Sequence, residues 1–219
     1  MVRTSVVSAE VFLLFTNMKK YSILCLFLMF GYFSLAQKYY NILYETRWET
    51  EYGKSRPVYK SRLLIKDSLA YEYVFNGNDI GKQPYGKRFM GHSTYFNLSS
   101  GLMLFQTQPW DNRKFLIEDT IQKFHWEIAN EEKTILNHIC KKATGIINGN
   151  KYIAWFAPSI PISVGPNRYG GLPGIILQLI LVKDQQVSTI IEINNQPFEI
   201  VQPAVGNKMT AQQFEKLKR

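Results

Sequence analysis

Apolar and polar residues alternate with a period of two along most of the chain from Gln37 onward. In the first such segment Tyr40, Ile42, Tyr44 and Trp48 would share one face, with polar side chains between them. This alternation is typical of half-buried β-strands, in which successive side chains point to opposite faces. Similar patterns predict further strands over 56–66, 69–75, 94–98, 102–107, 114–118, 124–129, 139–147, 151–156, 175–182 and 187–193.

Turn-forming residues separate these predicted strands. Asp67-Ser68, Ser99-Ser100-Gly101 and Asn148-Gly149-Asn150 each predict a hairpin, because Asn, Asp and Gly accept the backbone angles of tight turns. Further turns are predicted over 130–133 and 183–186, and a loop over 80–92. The segment 175–182 is apolar on both faces except at Gln178, which favours a strand in the interior of the sheet.

Helix signals are confined to the end of the chain, where Thr210 precedes a short segment with basic residues at its end. The many short strands joined by hairpins predict an antiparallel meander. The sequence therefore predicts an all-β fold, a strongly curved antiparallel sheet that forms a bowl, a half-barrel or a sandwich, with a short C-terminal helix.

The amino-terminal segment has the pattern of a secretory signal peptide. Met18-Lys19-Lys20 is basic, 21–36 is uncharged, and Ser34-Leu35-Ala36 ends the segment with the small residues that a signal peptidase requires. A membrane anchor is the alternative, but it needs about 20 apolar residues. We therefore predict an extension and signal peptide over 1–36, with translation starting at Met18, and a single β-rich domain over 37–219. The mature protein is predicted to be exported to the periplasm or the cell exterior, with association with the envelope left open.

Charge and cysteine content narrow the function classes. Loss of 1–36 removes Arg3, Lys19, Lys20 and Glu10, which lowers the formal charge from +9 to +7. The remaining basic residues are scattered, whereas nucleic-acid-binding proteins cluster them on one element. We therefore predict no nucleic-acid partner and no transmembrane segment in the mature chain. Cys25 leaves with the signal peptide, so Cys140 would stand alone and is predicted to be buried.

Residues 157–174 form the most constrained segment, with four prolines and four glycines among eighteen residues. Proline fixes φ and glycine accepts angles that other residues avoid, so this density predicts one ordered path. Pro173-Gly174 is predicted to form the centre of a type II turn. Ordered loops on rigid scaffolds often bind ligands, and the predicted binding residues are Trp155, Tyr169, Gly170, Gly171, Leu172, Pro173 and Gly174. The alternative is that these aromatic side chains only close the open end of the sheet.

Several motifs in this region resemble those of one exported family. Gly171-Leu172-Pro173-Gly174-Ile175-Ile176 is similar to the hallmark of the GLPGLI family, with Ile at 175 in place of Leu. Residues 138–143, 152–161 and 165–171 are similar to its other motifs, and Trp126 matches a preceding Trp. The family has no established reaction. A related bowl-like domain precedes the catalytic part of some secreted deglycosylating enzymes, which implies an accessory or binding role at most.

Catalytic motifs are missing from the sequence. The three histidines, His92, His125 and His138, lie in no zinc-binding pattern, so no metal, cofactor or catalytic residue is predicted. We interpret the protein as an exported cell-envelope binding or interaction module, more consistent with a non-enzyme, whose partner is an envelope protein, a lipid or a glycan. The alternative is a periplasmic or cell-surface hydrolase that uses Cys140 or a serine with His138 or His125.

Overall fold

Twelve β-strands form one open sheet in the computed structural model of this protein, which describes residues 38–48, 56–75, 92–107 and 113–217. The strands are β1 (Tyr39–Trp48), β2 (Arg56–Lys66), β3 (Leu69–Phe75), β4 (Ser93–Asn97), β5 (Leu102–Thr107), β6 (Phe115–Thr120), β7 (Glu127–Ile135), β8 (His138–Ile147), β9 (Asn150–Ala157), β10 (Ile175–Leu181), β11 (Gln186–Asn194) and β12 (Asn207–Thr210). One helix, α1 (Ala211–Leu217), follows β12. The predicted all-β class with a short C-terminal helix is confirmed.

Two meanders meet in the middle of the sheet, the first formed by β1–β6 and the second by β7–β11. The strand order is β12-β6-β5-β4-β3-β2-β1-β11-β10-β9-β8-β7. Strand β1 therefore pairs with β11, although most of the chain lies between these two strands in the sequence. The prediction of a purely antiparallel meander needs one correction, because β12 pairs in parallel with β6. Strand β10 lies between β9 and β11, which confirms the interior position predicted from its apolar faces.

Two-residue turns set the register of the hairpins that carry the candidate site. Asn148 and Gly149 join β8 to β9 with φ values of 51° and 77°. Positive φ at both central residues is the geometry that matches the twist of hairpin strands. The predicted turn at 130–133 is wrong, because β7 continues through it and turns at Leu136 and Asn137. Strand β7 lies at the exposed edge of the sheet. Its consecutive polar residues can therefore contact solvent while they remain in the strand.

Three apolar clusters hold the sheet together. The first joins Ile42, Tyr44 and Leu63 of the first meander to the segment 157–174, which we call the Pro/Gly segment, and to β10. Ile160 belongs to the Pro/Gly segment and Leu177 to β10. The second lies on the opposite face of β1–β6, where Phe198 and Ile200 of the segment before β12 pack against it. The third lies around Tyr152, Phe156 and Leu172. Because both faces of the first meander are covered, β3 is buried at consecutive positions.

The C-terminal helix begins with a reciprocal cap. The backbone N–H of Gln213 donates to Thr210 Oγ1 at 3.3 Å, and the backbone N–H of Thr210 donates to Gln213 Oε1 at 2.8 Å. This arrangement pairs donors that a helix start leaves unsatisfied. No helix in the described ranges has the length and apolar character to span a bilayer. The predicted domain boundary and signal peptide lie outside the described residues and remain predictions.

Candidate functional site

The Pro/Gly segment between β9 and β10 is ordered and is fastened to the start of β10. The backbone N–H of Ile175 donates to the Ile160 carbonyl at 3.0 Å, and that of Ile176 donates to the Val164 carbonyl at 3.1 Å. Val164 also forms an isolated bridge with Gly170. Because these donors and acceptors are met within the fold, the segment has the rigidity that a binding loop requires.

Two glycines in this segment are required by close packing. A Cβ atom at Gly174 would lie 2.3 Å from the Ala157 carbonyl oxygen, and one at Gly170 would lie 2.5 Å from the Ser163 carbonyl oxygen. The predicted type II turn centred on Pro173-Gly174 is wrong, because the positive φ of 90° belongs to Gly171. Glycine at 174 therefore provides space for the β9 backbone and is not needed for a left-handed conformation.

The predicted binding residues divide between two faces of the sheet. Leu172 is buried and packs with Tyr152 and Phe156, and Tyr169 packs against the same cluster. Trp155 alternates with these β9 positions and so points to the other face. On that face the centroid of the Trp155 ring lies 4.2 Å from Lys133 Nζ. The structure therefore does not bring Trp155 together with Tyr169.

The Gly170–Gly174 residues shape the loop, and none of them lines the clefts described below. The Trp126 indole N–H donates to the Gly170 carbonyl at 2.8 Å, and the Gly171 N–H donates to Ser163 Oγ at 3.0 Å. Gly171 and Pro173 are exposed, whereas Gly170, Leu172 and Gly174 are buried. Among the predicted binding residues, Tyr169 is the one that lines the clefts described below.

Asn167, Arg168 and Tyr169 form a projection that we call the crest. Asn167 and Arg168 have φ values of 58° and 67°, which arginine rarely adopts. Their backbone N–H groups donate to the two carboxylate oxygens of Glu72, at 2.8 and 3.2 Å. Glu72 is only 4% exposed, and burial raises the pKa of its carboxyl group while the two N–H donors act to lower it. A buried carboxylate on β3 therefore holds the crest in a strained conformation.

On one side of the crest lies a depression of about 200 Å³, which we call the tyrosine cleft. Tyr59 of β2, Tyr152 of β9, Gln186 of β11 and the three crest residues form its walls, together with Leu179, Leu181 and Ser188. The Tyr59 hydroxyl donates to Asn167 Oδ1 at 3.0 Å, and Asn167 Nδ2 donates to Ser188 Oγ at 3.2 Å. Ser188 Oγ in turn lies 2.8 Å from Thr46 Oγ1. These bonds fix the polar wall of the cleft.

Two tyrosines of the cleft lining, Tyr152 and Tyr169, contact each other. The Tyr169 hydroxyl donates to the Tyr152 hydroxyl at 2.7 Å. The Tyr169 ring lies between Phe124 and Tyr152, at centroid distances of 5.2 and 4.8 Å. Burial raises the pKa of Tyr169, and the hydrogen bond to Tyr152 adds to this because it favours the protonated donor. Tyr169 is therefore a fixed, neutral part of the wall.

Two further depressions lie nearby along the sheet. The first, also about 200 Å³, shares the crest residues and is lined by Asp119, Gln122, Phe124 and Asn148 among others. We call it the Asp119 cleft. The second is lined by His125, Glu127, Gly145 and Lys151. The crest thus forms one wall of two adjoining clefts.

The residues of the predicted hydrolase do not form one nucleophilic centre. Cys140 is fully buried, its Sγ lies 3.4 Å from the His138 carbonyl oxygen, and burial raises the pKa of its thiol. His138 Nδ1 instead lies 3.3 Å from Ser159 Oγ. Within the described ranges no carboxylate is hydrogen-bonded to His138, and no cluster of three or more His, Cys, Asp or Glu side chains could hold a metal. The His138–Ser159 contact is therefore the one candidate nucleophile–base pair that these residues provide.

Several residues of the clefts escaped the sequence analysis. Tyr59 and the supporting Glu72 lie on β2 and β3, where no motif marks them, and Asn167 and Arg168 lie inside the motif at 165–171 but were not among the predicted binding residues. Glu72 offered one signal, since it occupies an alternating position shared with buried Ala70. An acidic residue on an apolar strand face is rarely buried without a partner, so it could have been recognised as an anchor.

Comparison with known proteins places the chain in a family. Residues 99–216 match the family described as N-glycanase peptide, N-terminal domain. Two structures of PNGF-II in different space groups have the same fold, with TM-scores of 0.65 and 0.63 and 17% identity in both cases. The alignments cover 82% and 83% of this chain but 33% and 32% of those chains, so this protein spans about a third of their length. No curated protein matches the sequence.

These matches correct the resemblance to the GLPGLI family, and with it the interpretation as an uncharacterised binding module of that family. The motifs at 138–143, 152–161 and 171–176 are real features of the sequence, but they form the β8–β9 hairpin and the loop into β10. Their residues are explained by the local packing of this hairpin and loop. All three motifs lie inside the range of the family match, which covers more than half of the chain. This protein therefore belongs to the N-glycanase peptide N-terminal domain family.

Proposed function

We propose that this protein takes part in the hydrolysis of N-linked glycans and engages the glycan through the clefts beside the crest. The observation that carries the proposal is the family match over residues 99–216. That range supplies Tyr152, the crest and Gln186, and so most of the walls of both clefts. The family name supports the alternative drawn from the sequence, a hydrolase-related protein, better than a module unrelated to hydrolysis.

The chemistry of the clefts supports a glycan as the partner. Glycans present hydroxyl groups at their edges and C–H groups on their ring faces. The tyrosine cleft offers hydroxyl and amide groups at its walls and two leucines among its lining residues. Sites of this kind combine an apolar surface with a few fixed polar groups that set orientation. An envelope protein or a lipid headgroup has less in common with this lining.

Export is part of the proposal and rests on the amino-terminal sequence. The basic residues at 19–20, the uncharged segment and Ala36 together favour removal of 1–36 during secretion. N-linked glycans on secreted or surface glycoproteins would then be accessible. Amino-terminal sequencing of the protein from the culture medium or periplasm would begin at Gln37, and recovery of uncleaved protein in the cytoplasm would contradict export.

The direct test uses the mature protein with a glycoprotein that carries neutral N-linked glycans. We expect tighter binding to this glycoprotein than to the same protein with its glycans removed. Mass spectrometry of the supernatant measures glycan release in the same samples. Release shows that the chain is itself a hydrolase, and binding without release shows that it acts in recognition. Equal binding to both forms without release would overturn the proposal.

If release occurs, a Ser159→Ala variant tests the His138–Ser159 pair. Loss of the Ser159 hydroxyl would abolish release while leaving glycoprotein binding intact if Ser159 is the nucleophile. Ser163→Ala is not a suitable control because Ser163 bonds to Gly171. Ser99→Ala, in the exposed β4–β5 turn, provides the matched control.

A further inference from the structure

We infer that the tyrosine cleft is a subsite for one neutral pyranose ring of the glycan. This inference rests on the proposed function and adds the place and the chemical class of the sugar. Among the lining residues, Arg168 is the one charged group, and no carboxylate lines the cleft. The remaining polar groups are hydroxyls and amides, which match an uncharged polyhydroxylated ligand.

Arg168 does not make the cleft a site for acidic sugars. Its guanidinium carbon lies 4.6 Å from the centroid of the Phe105 ring, in a cation–π contact. Phe105 does not line the tyrosine cleft. The positive charge is therefore directed toward an aromatic ring outside the cleft, and the buried Glu72 carboxylate lies beneath the same backbone. A carboxylate-bearing sugar would find no dedicated partner.

The hydrogen bond between Tyr169 and Tyr152 leaves one donor for a ligand. The Tyr169 proton is used in the bond to Tyr152, so the Tyr152 oxygen acts there as an acceptor. The Tyr152 hydroxyl keeps its own proton, and the described residues show no acceptor for it. A buried donor without an acceptor is unfavourable, so a suitable acceptor at this position is favoured. A sugar hydroxyl in the cleft would supply that partner.

The polar wall of the tyrosine cleft is fixed before any ligand binds. Ser188 is 2% exposed and Thr46 is fully buried, and both belong to the hydrogen-bonded series that ends at Tyr59. The strained crest is held by Glu72. Strained backbone that its surroundings maintain is concentrated at ligand sites, since pre-organisation reduces the entropy lost on binding. The polar wall therefore needs no rearrangement to meet a sugar.

The size of the cleft limits the ligand to a single ring. Its volume of about 200 Å³ is below the roughly 300–1,000 Å³ of pockets that enclose drug-sized molecules. The cleft is open to solvent and adjoins the Asp119 cleft across the crest, so the rest of a chain of sugars can continue outward. The tyrosine cleft thus binds one residue of a longer glycan.

Titration of the ¹⁵N-labelled mature protein with N,N′-diacetylchitobiose, α-mannobiose and 3′-sialyllactose tests the inference by NMR. We expect one of the neutral disaccharides to shift the backbone signals of Asn167, Arg168 and Gln186. Tyr152→Phe and Gln186→Ala should each weaken its binding by about 3- to 10-fold, as expected for the loss of one hydrogen bond. Tyr95→Phe is the matched control, because Tyr95 is buried in the second cluster and lines neither cleft.

The outcomes separate this inference from the proposed function. Preference for sialyllactose, shifts confined to the Asp119 cleft, or neutral-sugar binding that is unchanged in both variants would overturn the subsite. Gln122→Ala reports on the Asp119 cleft in the same experiment. If the glycoprotein still binds better than its deglycosylated form, the proposed function survives the loss of the subsite. If that preference is absent as well, both fail.

Discussion

Glu72 and Asn167 lie 95 residues apart in the sequence, yet the Asn167 backbone N–H donates to Glu72 Oε1 at 2.8 Å. This bond joins β3 of the first meander to the segment that connects two strands of the second meander. Because the carboxylate also accepts the Arg168 N–H, one side chain fixes the two left-handed residues of the crest. The position of the wall shared by both clefts therefore depends on Glu72.

Glu72→Gln is expected to remove part of the pH dependence of stability. Burial raises the pKa of Glu72 above its ordinary value of about 4.3, so the folded protein retains this proton to higher pH than the unfolded chain. The stability that the proton contributes is fully present below about pH 4 and is lost as pH rises through the raised pKa. The amide that replaces the carboxyl group would not titrate. The free energy of unfolding, measured with urea from pH 4 to pH 8, should therefore fall more steeply with pH in the wild type than in Glu72→Gln.

Glu132→Gln, the same substitution at an exposed position on the edge strand β7, is the control for this experiment. Parallel profiles of the free energy of unfolding for the wild type and Glu72→Gln would show that Glu72 does not couple protonation to folding.

Gly174→Ala is expected to destabilise the protein by about 1–3 kcal/mol, the usual cost of overpacking. The new Cβ atom would lie 2.3 Å from the Ala157 carbonyl oxygen, and backbone must move to admit it. Gly149→Ala distinguishes the cost of a steric clash from the cost of a positive φ. Gly149 has a φ of 77°, but no atom lies within 4 Å of a Cβ added there. Its cost should be about 1 kcal/mol. Thermal unfolding of both variants would contradict this account if Gly149→Ala proved the more damaging.

Trp126→Phe is expected to loosen the Pro/Gly segment. The change removes the indole N–H that donates to the Gly170 carbonyl, and a lost hydrogen bond of this kind costs about 0.5–1.5 kcal/mol. Arg168 is exposed on the crest, so limited trypsin digestion after Arg168 should be faster in the variant. Trp155→Phe, on the other face of β9, should leave the rate unchanged, and equal acceleration in both variants would speak against a specific role for Trp126.

Cys140 is expected to resist thiol reagents until the protein unfolds. Its side chain is fully buried, and burial raises the pKa of the thiol, so little of the reactive thiolate forms at neutral pH. The rate of reaction with Ellman's reagent across a urea series should follow the fraction of unfolded protein. Rapid reaction in the absence of urea would show that the thiol is accessible in the native state.

The strands and hairpins could be predicted from the sequence because their signals are local. The ranges 56–66 and 69–75 coincide with β2 and β3, and Asn148-Gly149 forms the predicted tight turn. The run Asn130–Lys133 has turn chemistry but lies within β7, since an exposed edge strand tolerates polar residues on both faces. Local composition alone does not distinguish such a strand from a turn.

The amino-acid sequence by itself determined the all-β class, the hairpins, the interior position of β10 and the order of the Pro/Gly segment. These features follow from the alternation of side chains and from residue types that act on their own backbone. The tertiary structure alone decided that β1 pairs with β11, that Trp155 and Tyr169 face opposite ways, and that Glu72 supports the crest. Such contacts join residues distant in sequence, and they form because burial in the assembled sheet selects the partners that satisfy each polar group.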